Sequence, residues 1–419
     1  MRSVLAATDY ATYIRAWERV AHAGYAHYNV DTWAAGRRYL SLTATVLSEP
    51  EVIQLQALTE KFAKLLSRAV DGILTDPDWW SALAWPWAAI ELARQEPPHP
   101  SGLASLFGRF DFLLDASGQW QVIEYNADTP SGGREASGLE PAIARLFPAL
   151  RRIETRLGDR FARTLVARVR QHPRPVRLVG VVSTHRWLED VSQAVWLTAL
   201  LEHAGQPALV GDINDLEVRR GRATLRGQPI DALYRFYPIE RLYQHAVFGS
   251  LWDAAIDGRL LLLNGLRGFV AQSKACLAWL WANRALLPAD DCLAIEQHVP
   301  RTVLARNPEA PGLVAEGVIK HVNGREGDSV VFGASLDPAG WQTRLLEDGY
   351  VVQRAVTSRE VVDVEVDDRR REIRRVGNRV ACVGGFAIGG RFGGCYTRLD
   401  GRVTSARATY SATLCDQAP

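Results

Sequence analysis

Lysine is nearly missing from this chain. Of 49 basic residues among 419, four are lysine (Lys61, Lys64, Lys274 and Lys320) and the other 45 are arginine. Cysteine is sparse too: Cys276, Cys292, Cys382, Cys395 and Cys415 make an odd set of five in the last third, without CxxC spacing. That argues against a disulfide framework or a cysteine zinc site and predicts reduced thiols in a cytoplasm. No segment approaches the run of about 18 apolar residues that a membrane helix needs. The opening MRSVLAATDYATYIRAW breaks its apolar stretch too early for a signal peptide. Nor does one charge dominate: 47 acidic residues leave a formal charge of +2, so the simple electrostatic case for a nucleic-acid or anionic-membrane partner falls away. HExxH, GxSxG and GxxxxGK[ST] are absent, which sets aside zinc-protease, serine-hydrolase and P-loop chemistry.

What remains is an ordinary globular composition, 47% apolar and 23% charged, long enough for about two to four structural units. Residues 1 to about 100 read as helical, with a strong helix over 50–72 capped by Ser48, and Trp79, Trp80, Trp85 and Trp87 assigned to the core. RFDFLLD at 109–115 and WQVIEYN at 120–126 flank the turn 116–119 and predict a β-hairpin. A helical stretch over about 139–171 follows. VRLVGVVS, LEDVSQAVWLTALLEHAG, PALVGD and DALYRFY then alternate strand and helix, the signature of an α/β unit with a partly parallel sheet. Beyond 260 come a helix through SKACLAWLWAN and the strands VAEGVIKHV, VVFG, GYVVQRAV, VVDVEV and RVACVGGFAIGG, with DDRRREIRR as an exposed hairpin connection. The class is α+β, in several lobes.

Residues two apart in a strand share a face, so Arg109 lies beside Asp111 and Glu124 beside Asn126. Counting back from a four-residue turn that pairs Asp115 with Trp120 sets Asp111 opposite Glu124. Two carboxylates and an amide oxygen then converge beside a guanidinium, a hard-oxygen set that suits magnesium and a nucleotide phosphate; an exposed hairpin with a surface ion pair fits the same pattern. Asn126 leads into ADTPSGG, whose turn amides could grip an anion. Where arginine is the default cation, a retained lysine marks a place that needs a compact ammonium. Lys320 ends a strand before the glycine loop of Gly324, Arg325, Glu326 and Gly327, either a phosphate grip or a strand-edge lysine beside a surface turn. Lys274 opens an apolar helix and could equally snorkel.

Taken together, these segments resemble the glutathionylspermidine synthase-like ligases, a circularly permuted branch of the ATP-grasp superfamily. The matches run in order: RFDFLLDASGQWQVIEYNADTPSG, Glu189-Asp190, RFYPIERL, LLNGLRGFVAQSKACLAWLWAN, VIKHVNGREGDSVVFG, VVQRAV and FGGCYTRLDGRVT. The resemblance implies a permuted ATP-grasp fold with an α/β pre-ATP-grasp unit: a helical region at 1–108, the metal-site hairpin and following helices at 109–172, a substrate-side domain at 173–262, and nucleotide-binding lobes at 263–419. It implies ATP and Mg2+ as cofactors, with Asp111, Glu124 and Asn126 holding metal and Arg109 and Arg398 stabilising the transferring phosphoryl group. Lys274, Lys320 and the loop 324–327 would contact phosphates, and the segment Gln353, Arg354, Ala355, Val356 would be the hinge against adenine. Asp128, Thr129, Ser131, Glu189, Asp190, Tyr237 and Glu240 fall on the substrate side. The implied reaction joins a small-molecule carboxylate to an amine through an acyl phosphate; a scaffold that only binds nucleotide and a small-molecule kinase are the alternatives. The chain departs from the family pattern at Ile239, Ser273, Ala406 and TPSGG, so glutathione and spermidine are not implied as substrates.

Overall fold

In the computed structural model, which describes residues 1–26, 32–34, 37–97, 99–154, 156–313 and 315–416, the alternating segments near residue 110 form the expected hairpin, strands Phe107–Leu114 and Trp120–Asn126. The turn differs from the count. Leu114, not Asp115, faces Trp120, and the loop is closed by Asp115, whose N–H donates to Gln119 O and whose carboxylate accepts from Ser117 and Gln119. A bulge beside Asp111 then leaves Ile123 without an opposite residue and restores Asp111 to Glu124 and Arg109 to Asn126. Two one-residue offsets cancel, so the acids pair as predicted although the end of the hairpin nearest the turn is out of register.

The hairpin forms one edge of a nine-stranded sheet. Its order is Arg2–Leu5, Leu40–Leu47, Thr409–Asp416, Arg391–Asp400, Glu372–Ile388, Phe107–Leu114, Trp120–Asn126, with Glu360–Asp367 on Glu372–Ile388 and Leu150–Arg152 on Thr409–Asp416. Leu40–Leu47 runs parallel to Thr409–Asp416, and the other pairs are antiparallel. This corrects the helical reading of residues 1–100. Helices Tyr10–Tyr25, Glu49–Thr75 and Trp87–Gln95 are present, but two strands from this region sit in the main sheet. LSLTATVL at 40–47 has the period-two alternation and β-branched content of a strand.

Helix Glu49–Thr75 starts where Glu51 accepts from the Ser48 N–H at 2.8 Å, with Pro50 in the first turn. Its Leu55, Phe62, Leu66, Val70 and Ile73 are buried with Phe110, Phe112 and Val383 of the sheet, each contributing about 1.5–3 kcal/mol relative to exposure. Trp79, Trp80 and Trp85 pack on this core as predicted, whereas Trp87 lies 63% exposed. The stretch over 139–171 is not one helix: a π-helical turn Glu135–Leu139, helix Glu140–Ala144 and strand Leu150–Arg152 precede helix Leu157–Arg170. Pro148 has no N–H to continue a helix across that gap.

The α/β unit appears as predicted. Leu261–Leu262, Ala232–Arg235, Val179–Ser183 and Ala208–Asp212 form a parallel sheet in that order, with helix Leu188–His203 as the crossover between the last two. A separate antiparallel sheet, Thr302–Leu304, Tyr350–Arg354, Gly317–His321 and Val331–Phe332, bears Lys320, Gln353 and Arg354. Val314, at the start of the predicted VAEGVIKHV strand, lies outside the described residues. Among those described, no helix is long and apolar enough to cross a membrane.

Candidate active site

Every residue assigned above to metal or nucleotide lines a single cleft between the hairpin edge of the large sheet and the four-stranded antiparallel sheet. At its floor Arg109 Nε and Nη2 reach the two Asp111 oxygens at 2.7 and 3.1 Å, because residues two apart on the strand point the same way. Arg398 Nη2 reaches Asp111 Oδ2 at 2.8 Å, and Asn126 Nδ2 donates to the same oxygen at 3.2 Å. Burial pushes the Asp111 carboxyl up, but the charges of Arg109 and Arg398 outweigh it and hold the group below the ordinary carboxylate range. Gly384 stands opposite Asp111 in the next strand; a Cβ there would come within 2.5 Å of Arg109 Cδ, so glycine is what lets the arginine lie across the ladder.

The two isolated lysines face this cluster. Lys274 donates to Gly324 O at 2.8 Å and lies 3.4 Å from Glu124 Oε1, tying the hairpin to the glycine loop. Lys320 donates to Gln353 Oε1 at 2.7 Å, and Gln353 donates in turn to Thr302. Burial pushes the Lys320 ammonium down to about 8, and the neighbouring charge of Lys274 adds to the shift. Neither lysine snorkels at the surface, since both are buried.

The glycine loop arches over the cleft. Glu326, Gly327 and Ser329 have positive φ of 52°, 74° and 63°, and Gly327 sits against Val403 and the Thr404 carbonyl. Arg325 lines the cleft, but its guanidinium is engaged across the lobe boundary: Nε and Nη2 reach the two Glu240 oxygens at 3.0 and 3.1 Å, Nη2 reaches Asp128 Oδ2 at 2.9 Å, and Nη1 reaches Thr129 Oγ1 at 3.1 Å.

The substrate-side residues divide. Thr129 and Ser131 line the cleft, and the Ser131 carbonyl accepts from Arg109 Nη1 at 2.9 Å. Asp128 does not open to it: fully buried, it is ion-paired to Arg235 and Arg325 and accepts from the Ile239 N–H. Tyr237 offers its carbonyl to Arg235, and Glu240 is held by Arg325. Glu189 and Asp190 lie on the first turn of helix Leu188–His203; burial raises the Asp190 carboxyl to about 6, with Arg241 opposing and Glu326 of the loop adding to the rise. The cleft also uses residues outside the predicted set. Leu113, Val318, Phe332 and Cys382 add apolar lining, Arg402 lies over the Phe332 ring at 4.1 Å, and Val403 and Thr404 complete the set. Their signal was weak because apolar strand residues look alike whether they face a core or a ligand.

A cleft between an antiparallel β sheet and a hairpin-edged sheet, flanked by a glycine loop, is the arrangement of an ATP-grasp fold. The chain belongs to the glutathionylspermidine synthase pre-ATP-grasp family, whose model matches residues 11–415. Among solved structures, a glutathione synthetase-like effector from Globodera pallida in apo form aligns over 99% of each chain with a TM-score of 0.64 and 11% identity, a likeness of fold. A putative γ-glutamylcysteine synthetase from Methylobacillus flagellatus KT aligns over 85% of this chain and 86% of its own, at TM-score 0.45 and 10% identity. The ATP-grasp ligase PsnB with minimal precursor, Mg and ADP aligns over 57% and 90%, at 0.30 and 17%. No curated protein matches the chain.

Proposed function

We propose that this protein joins a small-molecule carboxylate to an amine with ATP, passing through an acyl phosphate and releasing ADP and phosphate. The observation behind the reading is the convergence of four cations, Arg109, Lys274, Lys320 and Arg398, with the oxygens of Asp111, Glu124 and Asn126 in a single cleft. In the first step a carboxylate oxygen attacks the γ-phosphorus and ADP departs; in the second the amine nitrogen attacks the acyl carbon, and phosphate departs with the proton the nitrogen loses. Negative charge spreads over phosphoryl oxygens in the first step, where Arg109 and Arg398 offer planar forks and the lysines offer compact charges. The loop 324–327 would exclude water and protect the acyl phosphate. The apolar side chains of Leu113, Val318 and Cys382 beside the segment 353–356 suit a flat apolar base. In this reading lobes 109–172 and 263–419 hold nucleotide, and 173–262 faces the substrates.

The residues fit a magnesium ion by donor chemistry. Asp111 and Glu124 stand opposite each other and Asn126 lies two residues along, three hard oxygens that would share the ion with phosphates. Bound there, magnesium would neutralise phosphate charge. Arg109, Arg398 and Lys274, which now pair with these acids, would turn toward phosphate oxygens.

The test is incubation with Mg-ATP and pools of acids and amines, read by ADP release and by new masses. ADP formation that requires both an acid and an amine, with a product heavier than either, is expected. Sustained AMP formation would exclude this mechanism, and a stable phosphorylated acid formed without amine would make the protein a kinase.

A further inference from the structure

We propose that Tyr396 is a positioning residue for phosphoryl transfer, its ring holding Arg109 and Arg398 as a pair above Asp111. The inference rests on the ATP-dependent reading above. Two guanidiniums share one buried carboxylate, whose charge favours both cations, while the charge of Arg398 opposes that of Arg109. Asp111 holds both guanidiniums by their N–H edges, and when those edges turn to phosphate another group must keep the pair in place. The Tyr396 ring is placed to do so: Arg109 Cζ lies 5.2 Å and Arg398 Cζ 6.0 Å from its centroid, within the range in which an aromatic quadrupole attracts a cation.

The ring is fixed from several directions. Tyr410 stacks on it at 5.5 Å with an interplanar angle of 12°. The Tyr396 hydroxyl bonds that of Tyr39, which donates to Glu135 Oε1 at 3.1 Å. Gly132, at φ 93°, lies so close that a Cβ would come within 2.6–2.8 Å of the ring carbons Cγ, Cδ1 and Cδ2. Gly384, opposite Tyr396 in the ladder, leaves the space through which Arg109 passes. Tyr396 itself is buried and is not part of the cleft wall. It therefore acts through the arginines and touches no nucleotide.

The experiment replaces Tyr396 by phenylalanine and by phenylalanines bearing one, two and three ring fluorines, and measures Mg-ATP affinity by calorimetry. Fluorine withdraws π density with little change of shape. The Tyr396→Phe protein should bind Mg-ATP within about threefold of the natural protein, and each fluorine should then raise Kd, to roughly tenfold at three. Melting temperatures should stay level across the series. A ring that only fills space predicts one Kd for all fluorinated forms, and that result would overturn the inference while leaving the ATP reading in place. Failure of the natural protein to bind Mg-ATP would overturn both. If loss of the hydroxyl prevents folding, 3-fluorotyrosine and 3,5-difluorotyrosine at position 396 read the same trend.

Discussion

The Lys320 ammonium is buried against Gln353, and this burial, with the charge of Lys274, lowers its pKa from 10.5 to about 8. A phosphate ligand favours the charged form, so above pH 8 nucleotide binding must take up a proton. The Kd for Mg-ATP should rise with pH above 8, approaching tenfold per unit, and the rise should vanish in Lys320→Arg. A Kd that stays level from pH 7 to about 9.5 would show that Lys320 does not meet phosphate. The same shift acts oppositely on folding. Between the folded pKa and 10.5 the unfolded chain binds more protons, so this group's contribution to stability grows with pH across that window, and loss of affinity there is not unfolding. Asp111 gives a second prediction at this scale. Asp111→Asn keeps the shape but leaves Arg109 and Arg398 buried without their shared counter-ion, which should cost about 3–5 kcal/mol in chemical denaturation; a loss below about 1 kcal/mol would mean the arginines are solvated. Residue identity made parts of this site legible. A lysine is informative in a chain of arginines, and Arg109 two before Asp111, with Glu124 two before Asn126, announced a shared face. Tyr396 gave no signal, because its role depends on two guanidiniums and two glycines brought together from 109, 132, 384 and 398.

At the scale of elements, the loop from Asn323 to Ser329 follows a strand of the four-stranded antiparallel sheet but is fastened by Arg325 to Glu240, beyond the parallel sheet, and to Asp128, after the hairpin. Those contacts reach Glu240 and Asp128, and Asp128 is also held by Arg235 of the parallel sheet. The loop and the parallel sheet are thereby linked through Asp128. Removing the clamp in Arg325→Ala should speed hydrogen exchange of the 324–329 amides at least tenfold in the nucleotide-free protein while the Thr302–Leu304 and Tyr350–Arg354 strands stay protected; unchanged loop exchange would show that the glycine turn alone keeps it shut. Gly327→Ala tests the turn. At φ 74° an L residue costs about 1–2 kcal/mol, and its Cβ would lie 2.5 Å from Val403 and 2.7 Å from the Thr404 carbonyl. Weaker Mg-ATP affinity with little change in overall melting is expected, since the strain falls on the loop. The glycines of NGREGDS disclosed a loop to the sequence reading, but the direction in which Arg325 points did not follow from them. Spacing fixes neighbours along a strand; it says nothing of which distant acid a seven-residue loop will meet. The hairpin shows the converse, where a bulge at Ile123 restored a pairing that a wrong turn length had predicted.

At the scale of the whole molecule, the two ends of the chain share one sheet. Leu40–Leu47 lies between Arg2–Leu5 and Thr409–Asp416, and the hydroxyls of Thr43 and Thr45 meet Ser411 at 3.4 and 3.0 Å across that parallel junction. Ser41 and Thr409 both donate to the buried Asp363 carboxylate, joining a third strand to the same contact. Arg398 stands one strand further in, on Arg391–Asp400, whose partner Thr409–Asp416 would become an edge if the N-terminal strands were absent. The region read from sequence as a helical preface is therefore part of the support for the strand that carries Arg398. Deleting residues 1–48 should expose the unpaired N–H and C=O groups of Thr409–Asp416 and leave Asp363 short of two hydroxyl donors, Ser41 and Thr43. The truncated protein should aggregate or lose its cooperative melting transition, whereas an independent N-terminal domain would leave a remainder that melts as before and binds Mg-ATP with unchanged affinity. Calorimetry of the full chain makes the same distinction without truncation: heat absorption by the sheet should come as one transition involving both termini, and an early separate peak that disappears with residues 1–48 would show that the parallel junction contributes nothing to the fold around Arg398.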